Sequence, residues 1–131
     1  GGGISVLQNI REISTEALAY LGDSVIEIKV RKHLLDKGFS HSGTLNKESQ
    51  KYVKAGAQAS AMQNILPHLS VEEEAFFKRG RNMSGGNVPK SSSMSEYRIA
   101  TGMEVLFGYL YYSEQYERID TLFALAFNTE N

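Results

Sequence analysis

The segment EALAYLGDSVIEIKVR, residues 16–31, is helix-forming and apolar along most of its length, yet it carries Asp23 near its centre and Glu16 two helical turns earlier. A second apolar segment, EYRIATGMEVLFGYLYY, residues 96–112, carries Glu104 between Met103 and Val105. Burying an ionised carboxylate without a partner costs several kcal/mol, so acids in such surroundings require a cation, a hydrogen-bonding role or a metal. Two or three carboxylates converging from two helices make a hard oxygen site suited to Mg2+, which takes one or two carboxylates together with waters and substrate phosphate. A cation held there lowers the pKa of bound water and stabilises charge building on a phosphodiester. Each acid also has a plainer local reading. Gly22-Asp23-Ser24 has the form of a helix break, with Asp23 or Ser24 as N-cap and Glu27 closing a capping box. Glu104 fits a core salt bridge to Arg98, and Glu16 fits an exposed first-turn acid.

The formal net charge of −1 conceals an uneven distribution. Lys29, Arg31, Lys32, Lys37, Lys47, Lys51 and Lys54 fall within residues 29–54 against Asp36 and Glu48 alone. Lys78, Arg79, Arg81 and Lys90 lie in residues 75–95, where there is no acid. Carboxylates dominate both ends of the chain. A basic middle between acidic ends suits a polyanion held beside a carboxylate site, and the combination points to metal-dependent hydrolysis of a nucleic acid. The same charges also fit a plain role as solvated helix faces. His33, His41 and His68 lack ligand-like spacing and read as surface or core residues.

Helices must position these groups, because no sustained apolar/polar alternation bounded by hairpin turns occurs anywhere. The chain reads as one all-α domain over residues 1–131, with 41% hydrophobic residues to fill a core. Ser14-Thr15-Glu16 caps a helix running to about Asp36, stopped by Lys37-Gly38. Residues 43–65 form a second helical region, opened by Thr44 and closed before Pro67. Ser70 and Glu73 form a capping box for a third helix ending near Arg81. Residues 80–95, GRNMSGGNVPKSSSMS, read as an exposed, mobile loop. A core helix over 96–112 and an amphipathic helix within EQYERIDTLFALAF complete the fold. There are no cysteines, no bilayer-length apolar stretch and no secretory leader pattern, which suits a soluble protein of the reducing cytoplasm.

EALAYLGDSVIE resembles the signature helix of the ribonuclease III family, in which a Glu precedes the Asp of a Leu-Gly-Asp element by seven residues. MEVLFGYLYY is similar to that family's second acidic helix. ALAYLGD, KRGRN, the Gly-rich loop with its Pro-Lys, and YRIATGMEVLFGYLY look like the short bacterial branch, Mini-ribonuclease III, a catalytic domain without a double-stranded-RNA-binding domain. The resemblance implies an all-helical, homodimeric, Mg2+-dependent endoribonuclease acting on double-stranded RNA, with 23S ribosomal RNA precursor stems as substrate. It implies Asp23 and Glu104 as catalytic metal ligands, with Glu16 matching only the broader family. Ala19 and Thr101 stand where that broader family has a second Glu and an Asp. Tyr20 takes the place of a dimer-interface aromatic, its plainer reading being a core residue. Lys78, Arg79, Arg81, Asn82 and Lys90, with Lys47 and Lys51 next, are the RNA-binding candidates. The alternative is a non-catalytic helical RNA-binding or ribosome-associated module of the same fold.

Overall fold

The computed structural model describes residues 9–83 and 93–129, and all six long elements among them are α-helices. Helix α1, Thr15–Asp36, starts as the sequence predicts: the Ser14 hydroxyl accepts a hydrogen bond from the Ala17 N–H at 3.0 Å. Leu18, Val25, Ile26, Val30 and Leu34 recur at helical spacing and are buried. The helix runs unbroken through Gly22-Asp23-Ser24, so the local reading of a break and cap there is overturned. A mid-helix glycine costs about 1 kcal/mol in propensity, and the close packing that Gly22 permits offsets it.

The expected single helical region over 43–65 is instead two helices, α2, Ser42–Val53, and α3, Ala55–Ile65. They are separated by Lys54 in extended conformation (φ −65, ψ 148). Helix α2 buries none of its residues, whereas α3 buries Gln58, Ala59, Ala61, Met62 and Ile65. The chain turns at Lys54 so that the small residues of α3 reach the core. Helix α4, Val71–Arg81, has the predicted capping box: Glu73 N–H donates to Ser70 Oγ at 3.1 Å and Ser70 N–H to Glu73 Oε1 at 2.8 Å. Helix α5, Met94–Tyr112, opens with a second capping box, Ser93 with Glu96, and α6 is Tyr116–Phe127. Both ends of the expected 80–95 loop are therefore helical, at Gly80–Arg81 and Met94–Ser95, while residues 84–92, including Lys90, lie outside the described residues.

Helix α5 is the axis of the molecule. It packs against α1, α3, α4 and α6, and every residue from Ala100 to Leu110 is buried except Glu104. Among the described residues there is no strand, and no helix is long and apolar enough to cross a membrane.

Candidate active site

Helices α1 and α5 meet backbone to backbone at Gly22. A Cβ placed there would fall onto the Glu104 carbonyl oxygen, 2.6 Å from its carbon and 2.8 Å from the Gly108 amide nitrogen. The glycine is thus required by close approach, and it seats the residue before Asp23 directly on the turn that carries Glu104. Asp23 remains exposed and Glu104 half-buried, at the edge of this contact. Burial pushes the Glu104 carboxyl up, and the negative charge and hydrogen bonding of Asp23 push it further, to about 8. Two carboxyls so placed hold a proton between them near neutral pH unless a cation takes its place.

That donor set fits Mg2+, which needs only one or two carboxylates and completes its shell with waters and phosphate oxygens. Among the described residues no group of three or more His, Asp or Glu side chains comes together. Glu16 is exposed two turns earlier on the same face of α1 and does not join the pair. The local reading of Glu104 as the partner of Arg98 fails: Arg98 is exposed, and no ion pair among the described residues joins the two. Thr101 is 7% exposed and donates its hydroxyl to the Tyr97 carbonyl at 3.0 Å, while Ala19 belongs to the core.

The predicted cations part company. Arg79 is tied into the fold: its Nη2 donates to the Ile13 carbonyl at 2.9 Å and to Thr15 Oγ1 at 3.0 Å, with the guanidinium 4.9 Å from the Phe76 ring centroid. It anchors the start of α1. Lys78 is exposed, 3.9 Å from Glu74. Arg81 and Asn82, joined by a 3.2 Å hydrogen bond, line a cleft of about 340 Å3 with Met94, Ser95, Arg98 and Ile99. Lys47 and Lys51 line a second groove of about 580 Å3 with Gln50, Lys54, Gly56, Ala57 and Glu96. Both clefts open at the N-terminal end of α5, whose axial rise of about 1.5 Å per residue puts Glu96 roughly 12 Å from Glu104.

Two cations at these clefts, Lys54 and Arg98, are missing from the sequence-derived set. Lys54 was legible from the i, i+4, i+7 spacing of Lys47, Lys51 and Lys54, although it stands at the extended break between α2 and α3; Arg98 was hidden by its assignment to Glu104. Tyr20 is 82% exposed, so its reading as a core aromatic is overturned. It projects from α1 three residues before Asp23.

Residues 16–115 match the Ribonuclease III domain. The chain is 44% identical over 109 residues to the Mini-ribonuclease 3 of Desulfitobacterium hafniense, covering 83% of this chain and 69% of that one. It is 40% identical to the Mini-ribonuclease 3 of Symbiobacterium thermophilum, covering 83% of this chain and 84% of that protein. A crystal structure of a Fusobacterium nucleatum protein superposes with a TM-score of 0.83 at 31% identity, covering 95% of this chain and 99% of its own. An all-helical frame, a carboxylate pair at the α1–α5 crossing and these likenesses lead to one conclusion: the chain belongs to the ribonuclease III family of endoribonucleases, alongside the Mini-ribonuclease 3 proteins.

Proposed function

We propose that this endoribonuclease cleaves double-stranded RNA in a Mg2+-dependent reaction at Asp23 and Glu104, acting as a cytoplasmic homodimer on stems of 23S ribosomal RNA precursor. The observation that carries the reading is the juxtaposition of these two carboxyls: burial, and then the charge and hydrogen bonding of Asp23, raise Glu104 to about 8. When bound, the cation supplies an activated water and offsets charge on the scissile phosphate. Asp23, exposed beside the α1–α5 contact, would face the RNA. Glu104, half-buried on α5, would hold the cation from the side of the core. Lys47, Lys51, Lys54, Arg81, Asn82 and Arg98 would line the phosphate path, with Lys78 at its margin. Their role is electrostatic and read by backbone shape, as duplex RNA recognition generally is. A twofold dimer would present one carboxylate pair to each strand, with exposed Tyr20 at the seam.

The test is cleavage of long duplex RNA with and without Mg2+, by the unsubstituted protein and by Asp23→Asn. Cleavage should require the cation, and Asp23→Asn should reduce it to background with fold and assembly unchanged. Near-normal turnover by Asp23→Asn would sink the mechanism. A non-catalytic RNA-binding module draws support from the absence of a third acid at the pair among the described residues; binding without cutting in both conditions would favour it.

A further inference from the structure

Two glycine contacts press helices onto α5, and they do different work. On one side α1 meets it through Gly22 and Gly108. A Cβ on Gly108 would collide with the Leu18 carbonyl oxygen, 2.8 Å from its carbon and 3.1 Å from the Gly22 amide nitrogen. On the other side α4 meets α5 through Gly80 and Gly102. A Cβ on Gly80 would lie 2.7 Å from both the Gly102 Cα and Val105 Cγ2, and 2.8 Å from the Thr101 carbonyl oxygen. In both cases backbone stands in the way, joined at Gly80 by the Val105 side chain, and backbone cannot swing aside, so an added methyl must move a whole helix. The first contact brackets the acids: Gly22 adjoins Asp23, and Gly108 is one turn beyond Glu104. The second lies next to Arg81 at the basic end of α4 and meets α5 at Thr101, Gly102 and Val105, against the turn that carries Glu104 but across from α1 and Asp23.

We propose that Gly108 is a positioning residue: with Gly22 it fixes the gap between Asp23 and Glu104, and so the fit of that gap to a divalent cation, while Gly80 with Gly102 places only the basic end of α4. The inference rests on the reading of the acid pair as a metal site. It differs from a general packing role in predicting which function each crossing controls.

The experiment is calorimetric titration of Mn2+, as a stand-in for Mg2+, into the RNA-free protein, paired with KM for duplex RNA. Gly108→Ala should weaken Mn2+ binding by about tenfold or more and leave KM for RNA near its original value. Gly80→Ala should leave Mn2+ affinity unchanged and raise KM. In the Gly108→Ala background, Asp23→Glu should regain part of the lost affinity, because a carboxylate one methylene longer spans the widened gap. Original Mn2+ affinity in folded Gly108→Ala, or equal loss in both glycine variants, would overturn the proposal. Should Gly108→Ala fail to fold, Asp23→Glu in the original background carries the test. With the gap fixed, the longer side chain overshoots and affinity falls about tenfold; unchanged affinity means the helices adjust to the cation, and the proposal fails. If the unsubstituted protein takes up no Mn2+, the metal reading falls and this inference with it.

Discussion

At Glu104 an acid sits where burial and a neighbouring carboxylate both oppose its charge. The folded protein holds the proton on this group up to about pH 8, whereas the unfolded chain releases it near 4.5. Across that window the folded state binds more protons, so the stability tied to this group is full below about 4.5 and is lost as pH rises through about 8. Each tenfold difference in proton affinity between the two states is worth about 1.4 kcal/mol, so the loss is on the order of a few kcal/mol. Thermal unfolding in a chelator should therefore show Tm falling from mildly acid to mildly alkaline pH. Mg2+ should restore most of the loss at the alkaline end, and Glu104→Gln should flatten the slope. A slope unchanged by Glu104→Gln would remove this residue from the effect. The anomaly was legible at Glu104, which Met103 and Val105 flank with no cap to make, and less so at Asp23, where Gly22 and Ser24 offered a local cap as explanation. Their pairing came only with the family resemblance, since helical spacing alone does not say which of Glu16 and Asp23 faces Glu104.

At the scale of elements, the caps at Ser14 and Ser70 were legible, whereas the Ser93–Glu96 box that starts α5 was missed, Thr44 does not cap α2, and the boundary set by packing at Lys54 was not legible. Ser14 and the Ser70–Glu73 box start their helices as read. The division at Lys54 was missed because the signal is a demand of the core on α3, not a local breaker. Glu73 shows how local and distant roles combine. It completes the cap of α4, and the same carboxylate takes hydrogen bonds from Arg118 of α6 at 2.8 and 2.9 Å, while Arg118 also donates to the His68 carbonyl at 2.7 Å. Burial pushes the Glu73 carboxyl up, but the Arg118 and Ser70 hydrogen bonds outweigh it and hold it below the ordinary range. Glu73 is only 4% exposed, so removing its partner leaves a buried charge. Arg118→Met should cost about 3 kcal/mol in denaturant unfolding while Mn2+ affinity is unchanged, since the pair joins α4 to α6 away from the acids.

At the scale of the whole molecule, the outer side of α1 exposes Tyr20, Ile28 and Leu35 at 82%, 65% and 59%. With Tyr20 at a dimer seam, Tyr20→Asp should convert the assembly to monomers in sedimentation velocity, and a dimer that persists would exclude Tyr20 from the interface. The sequence by itself determined the all-helical class, the apolar faces that build the core, the acids out of place within them and the basic middle of the chain, because each of these follows from residue type and helical period. Only the tertiary structure decided that α1 runs straight through Gly22-Asp23-Ser24, that Glu16 stands apart from the Asp23–Glu104 pair, that Arg79 is spent on anchoring Thr15 and Ile13, and that Lys54 and Arg98 line the clefts. The physical reason is that the gap between two carboxylates is set where backbones touch. Here that contact joins Gly22 to Glu104 and Gly108, residues from opposite ends of the chain, and no local pattern records it.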